Sequence, residues 1–178
     1  NLVNNGSGRV RIELSVPSRA LIGYRDEFLT DTRGTGILNS IFDGYDEYRG
    51  DCSSRFTGSL VADRTGTGVA YALFNLEPRG RLFIEPGDPT YEGMIIGEHN
   101  RSQDINVNPC KEKKLTNMRA SGKDEAVILS PIKPLTLEFA ISFIREDELL
   151  EVTPRSLRMR KTILSASKRH TANAAKYK

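Results

Sequence analysis

The sequence has 178 residues, 38% apolar and 28% charged, which is enough for one ordinary domain or two small ones around a packed core. It lacks Trp and has only 7% aromatic residues, so that core must lean on Ile, Leu and Val, and no apolar run approaches the roughly 18 to 20 residues needed to span a bilayer. The net charge of +3 is uneven: residues 155–178 carry eight Lys or Arg and no acid, against 18 basic and 23 acidic groups in the rest, and a basic terminal block either solvates or engages phosphate.

In chain order, NLVNN followed by GSG reads as the end of a strand entering a turn. RVRIELSVP, residues 9–17, alternates with Val10, Ile12, Leu14 and Val16 on one face, which predicts a half-buried strand stopped by Pro17. Pro17-Ser18 and the spacing of Leu21, Ile22, Tyr24, Phe28 and Leu29 predict a helix of about three turns, weakened by Gly23. TGILNSIFDGYDEYRG reads as a strand and then a loop. The order strand, strand, helix, strand is part of a split β-α-β unit that needs one more strand and helix. With no initiator Met, the sequence reads as a piece of a longer protein.

Residues 55–109 read as β-rich. RFTGSLVADRTGTGVAYALFNL is expected to form a hairpin turning at GTG, RGRLFIEPGDPTYEGMIIGEHN two short strands, and INVNPC another. AVILSP predicts a strand stopped by Pro131. Thr136 is placed to cap a helix whose apolar face is Leu137, Ala140, Ile141 and Ile144. LLEVTPRSLRMRKTIL closes with two short strands or a strand and a turn, and residues from about 165 are expected to be disordered. TRGTG (32–36) and RTGTG (64–68) read as shared turn chemistry, not duplication. The fold class is α+β.

Catalytic motifs are missing. The only Gly-Lys pair, Gly122-Lys123, is followed by Asp124 and lacks the earlier Gly, so there is no P-loop. His99 reads as a loop histidine, and His170 falls in the tail. Cys52 and Cys110 have no Cys or His at metal-ligand spacing, and the N-terminus has no signal-peptide pattern, so reduced thiols and a cytoplasmic setting are expected. Glu146-Asp147-Glu148 reads as a solvated helix end. We expect no catalytic site and no bound metal in this stretch.

Two basic patches remain. Residues 110–126, CKEKKLTNMRASGKDEA, form a long polar segment with Lys111, Lys113, Lys114, Arg119 and Lys123. Its Asn117 and Arg119 can hydrogen-bond bases, sugars and phosphates, and long loops are often functional; the plain alternative is a solvated loop. RSLRMRK puts Arg158 and Arg160 on one face, with Lys161 following, a strand able to track a phosphate backbone or an edge protected by charge.

These residues carry a resemblance. VPSRALIGYRDEFLTDTRGTGILNSIFDGYDEYRG resembles the last part of the elongation-factor-G-like domain V of the TypA/BipA family of translational GTPases. ALFNLEPRGRLFIEPGDPTYEGMIIGEHNR, CKEKKLTNMRASGKDEAV and DELLEVTPRSLRMRKTIL resemble that family's own C-terminal domain. The resemblance spans residues 8–164, and KKLTNMRASG is its most specific segment; DCSSRFT and the final residues depart from the family pattern. It implies a partial ferredoxin-like domain over 1–50, a barrel-like family-specific domain with one helix over 51–164 and a basic tail over 165–178. It also implies a ribosome-associated protein whose GTPase domain, with its GTP and Mg, lies outside this sequence. Its partners would be the ribosome, the acceptor arm of the A-site tRNA and large-subunit rRNA, met through Lys111, Lys113, Lys114, Asn117, Arg119 and Lys123. The alternative is a protein-interaction module working through the acidic body with no RNA contact.

Overall fold

The computed structural model describes residues 1–113 and 128–176, apart from 5, 7, 49 and 51–54. The chain divides into two compact units, Asn1–Ser54 and Arg55–Lys178. The class is α+β.

In the first unit, β1 (Leu2–Asn4) and β2 (Val10–Ile12) pair antiparallel, with Leu2 opposite Ile12. A 3-10 turn, Ser18–Leu21, precedes α1 (Tyr24–Asp31). The expected three-turn helix is split because Gly23, between the two pieces, adopts φ 77, a left-handed conformation that glycine tolerates. TRGTG closes α1, with the Gly34 N–H donating to the Leu29 carbonyl at 2.7 Å. The strand expected from TGILNSIF does not form. Ile37, Leu38, Ile41 and Phe42 lie exposed, and among the described residues no neighbouring strand supplies the hydrogen bonds that would fix them.

The second unit is built on one six-stranded sheet. Its strands are β3 (Gly58–Ala62), β5 (Gly80–Leu82), β7 (Met94–His99), β8 (Ile105–Val107), β9 (Glu148–Val152) and β10 (Leu157–Lys161). The order is β8-β3-β7-β10-β9, with β5 also on β7. Only β3 and β8 run parallel among these pairs. A small ladder joins β4 (Gly66–Thr67) to β6 (Pro89–Thr90).

Strand alternation sorts the core onto two faces. Leu60, Ala62, Leu82, Ile84, Met94, Ile96 and Val107 pack with Leu73 and Leu76 of α2 (Ala70–Leu76). Their odd neighbours Val61, Phe83, Ile95 and Met159 pack with Ala140 and Phe143 of α3 (Leu137–Phe143). The sheet is therefore covered on both faces, and β3, buried along its whole length, reads as an apolar run.

Helix α2 replaces the expected second arm of a hairpin. Ala72, Leu73 and Leu76 form a helical stripe, and the GTG segment pairs with Pro89–Thr90 instead of folding back. Thr136 caps α3 as expected, its Oγ1 accepting from the Phe139 N–H at 3.2 Å. The helix is rotated from expectation: Leu137 and Ile141 are exposed, and Phe139 and Phe143 meet Phe83 instead. Residues 128–130 form no strand, but Leu129 and Ile132 pack against the α2-side core. The segment expected to be disordered forms α4 (Ala166–Lys176). Its start is held by Glu92 Oε1, which accepts from the Ala166 N–H at 2.9 Å, and by Arg169, which reaches Asn106 Oδ1 at 2.6 Å. No described helix is long and apolar enough to cross a membrane.

Candidate nucleic-acid interface

The cationic segment leaves and rejoins the fold at two anchored points on the α2 side of the sheet. At its start, the Val69 N–H, just before α2, donates to the Pro109 carbonyl at 2.9 Å. The Cys110 N–H donates to Asn108 Oδ1 at 2.9 Å, and Cys110 Sγ lies 3.4 Å from Thr90 Oγ1. At its return, the Ser130 N–H donates to Glu77 Oε1 at 2.5 Å and the Lys133 N–H to the Leu82 carbonyl at 3.1 Å. Lys111 and Lys113 are exposed where the segment departs. Lys114, Asn117, Arg119 and Lys123 lie outside the described residues.

The β10 cations behave differently from one another. Arg158 is half-buried opposite Glu151. Arg160 Nε donates to Glu151 Oε1 at 2.7 Å, while Tyr91 Oη donates to Glu151 Oε2 at 2.8 Å. Burial and that carboxylate push the Tyr91 hydroxyl's pKa up. Lys161 is an interior group, its side chain 2% exposed. Its Nζ lies 2.5 Å from Asp104 Oδ2, 2.8 Å from Asp147 Oδ2 and 2.9 Å from Glu148 Oε1. Three ammonium protons thus meet three carboxylates, and none is left for a phosphate. Strand parity carries this signal: Lys161 shares the face of buried Met159.

Glu148 corrects the reading of 146–148 as a solvated end. Its side chain is fully buried, and its carboxylate accepts from Arg55 Nη2 (3.0 Å), Ser59 Oγ (2.7 Å) and the Arg145 N–H (3.0 Å) besides Lys161. Arg55 also stacks its guanidinium 3.7 Å from the Phe143 ring centre. Burial alone would raise the Asp104 carboxyl, but Lys161, the Ser59 N–H and Arg55 outweigh it and hold its pKa low. Burial likewise works against the Lys161 ammonium, yet its carboxylates keep its pKa raised. His99 is buried rather than in a surface loop, with Nδ1 2.6 Å from the Gln103 carbonyl. Among the described residues no group of three His, Cys, Asp or Glu side chains is arranged to hold a metal.

Residues 57–166 match the family described as the TypA/BipA C-terminal domain. The chain belongs to the TypA/BipA family. Residues 1–56 match the elongation factor G C-terminus, the other half of the TypA/BipA resemblance. The large ribosomal subunit assembly factor BipA of Escherichia coli (strain K12) is 52% identical over 176 residues, 98% of this chain and 29% of that protein. The BipA of Salmonella typhimurium is 52% identical over 97% of this chain and 29% of its own length, and that of Haemophilus influenzae 50% over 97% and 28%. This TypA/BipA chain therefore spans under a third of these relatives.

Proposed function

We propose that this chain is the ribosome- and RNA-binding C-terminal portion of a translational GTPase that acts on the large ribosomal subunit in the cytoplasm. The observation that carries the reading is a cationic segment anchored at both ends, with Lys111 and Lys113 exposed where it departs, in a chain about half identical to large ribosomal subunit assembly factors. A segment tied at Cys110 and Ser130 can present its cations without burdening the core. Lys111, Lys113, Lys114, Asn117, Arg119 and Lys123 would meet the acceptor arm of the A-site tRNA and nearby rRNA, with phosphates giving affinity and Asn117 and Arg119 reaching sugar or base edges. Arg158 can join this set from β10, and Arg160 can do so by releasing Glu151. Lys161 supports the strand from inside.

GTP and Mg belong in this reading to a GTPase domain outside the sequence. The residues around Gly122-Lys123 do not fit a phosphate loop, and no nucleotide step is assigned to them.

Co-sedimentation with ribosomes across a salt series tests the reading. The wild-type chain should pellet with ribosomes at low salt and release as salt rises, because displaced counterions drive the binding. The Lys113→Ala/Lys114→Ala/Arg119→Ala variant should lose most of that binding and keep its circular dichroism spectrum. Binding insensitive to salt, with capture of a ribosomal protein instead, would favour the protein-interaction reading.

A further inference from the structure

The second unit carries another cationic feature that the sequence patches do not include. Arg79, Arg81 and Arg101 are exposed at the end of the sheet where β5 and β7 meet. No hydrogen bond or ion pair holds any of the three guanidiniums among the described residues. Arg55, Arg64, Arg145, Arg160 and Arg169 of the same unit are all engaged.

The rim is stiff. Gly80 separates Arg79 from Arg81 in fully extended conformation, φ 168 and ψ −174, which sets their Cα atoms about 7 Å apart. A Cβ on Gly80 would sit 1.8 Å from the Glu98 carbonyl oxygen, so only glycine lets β5 lie this close to β7. The Asn100 N–H donates to the Arg79 carbonyl at 2.9 Å, which brings the turn bearing Arg101 beside Arg79. That turn is pinned by His99 on the Gln103 carbonyl and by the Gly58 N–H on the Arg101 carbonyl, at 2.6 Å each. The acid opposite Arg81 in register, Glu98, accepts at Oε1 from the Thr57 Oγ1 hydroxyl at 2.6 Å.

We propose that Arg79, Arg81 and Arg101 form a second RNA contact, a rigid fork for the phosphodiester backbone. Three guanidiniums unpaired among the described residues, two of them on backbone positions spaced about as far apart as successive phosphates, suit a strand of phosphates better than a single anion. The rim also adjoins the first interface: Glu77, two residues before Arg79, holds the return of the cationic segment at Ser130. The inference rests on the RNA-binding reading above and extends it to a surface that reading does not use.

Fluorescence anisotropy with a labelled single-stranded RNA of 20 nucleotides, from 50 to 300 mM KCl, tests it. The Arg79→Gln/Arg81→Gln/Arg101→Gln variant should bind about tenfold more weakly at 100 mM KCl. Its log K against log salt slope should fall by about 2, since each neutralised phosphate of a single strand contributes about 0.7. The corresponding triple Lys variant should keep most of the slope. If the Gln triple does not fold, the single variants Arg81→Gln and Arg101→Gln should each lower the slope by about 0.7. Wild-type binding with no change in the variants overturns the rim and leaves the RNA reading standing. Absence of RNA binding by the wild type overturns both. Polyglutamate that displaces the RNA at equal charge, in a rim-dependent way, overturns the RNA assignment in favour of an acidic protein.

Discussion

Lys161 shows how much a single side chain's direction decides. On charge alone it belongs with Arg158 and Arg160, but one position of strand parity turns it inward among Asp104, Asp147 and Glu148. Removing one member of such a group leaves buried charge without a partner, a loss of about 3 to 5 kcal/mol. Lys161→Ala should therefore lower unfolding free energy by about that amount in urea titrations at pH 7, whereas exposed Arg155→Ala should change it by less than about 0.5 kcal/mol. The pH dependence follows from the directions of the shifts. Asp104 has a depressed folded pKa, so its contribution is present above its unfolded value of about 3.9 and is lost as pH falls through the folded one. Lys161 has a raised folded pKa, so its contribution is present below about 10.4 and is lost only as pH rises past the folded value. The wild type should keep this part of its stability from weakly acidic to weakly basic pH and lose it below about pH 4. Lys161→Ala should show a shallower acid limb, and an unchanged limb would mean that Asp104 is not tuned by Lys161.

At the scale of elements, close backbone approach separates glycines that composition treats alike. A Cβ at Gly80 would meet the Glu98 carbonyl at 1.8 Å, and neither strand can give way without breaking the β5–β7 ladder. At Gly68 the nearest atom would be the Glu85 carbonyl at 3.4 Å, an ordinary contact. Gly80→Ala should cost about 1 to 3 kcal/mol by overpacking, while Gly68→Ala should be near neutral, its small strain offset by a stiffer unfolded chain. Thermal melts of the two variants check this, and equal shifts would place the constraint elsewhere. The same elements explain what the sequence made readable. The β10 strand follows from alternation, β7 and β8 from short strand-like segments between turns, and the Thr136 cap from a single hydroxyl, so local pattern was enough. AYALFNL, expected as a hairpin arm, is a helix because a short apolar run suits either state and burial of Ala72, Leu73 and Leu76 against the sheet decides it. Helix α4 has no apolar stripe to announce it; Glu92 and Asn106, distant in sequence, hold it. The cationic segment was readable by composition, but the Arg79–Arg81–Arg101 rim was not, because a turn brings Arg101 beside Arg79, which lies far earlier in the sequence.

For the whole molecule, the two units differ sharply in what holds them. The second unit has a sheet covered on both faces, with Leu60 and Ile96 fully buried on the α2 side. The first has two strands of three residues each, and much of its apolar surface faces solvent: Leu14 is 74% exposed, Ile41 93% and Tyr45 100%. Burial of apolar area is the main favourable term in folding, so residues that bury little contribute little. Local opening free energies should accordingly diverge within one chain. Amide hydrogen exchange of this chain should show β3 and β7 exchanging only through global opening of the second unit. Amides of residues 35–48 should exchange within seconds, since among the described residues of the first unit no strand pairs with them. Limited proteolysis should leave a resistant core beginning near Arg55. Protection of residues 35–48 comparable to that of β3 would show that the first unit is as cooperatively folded as the second, and that buried area in this chain is a poor guide to its stability.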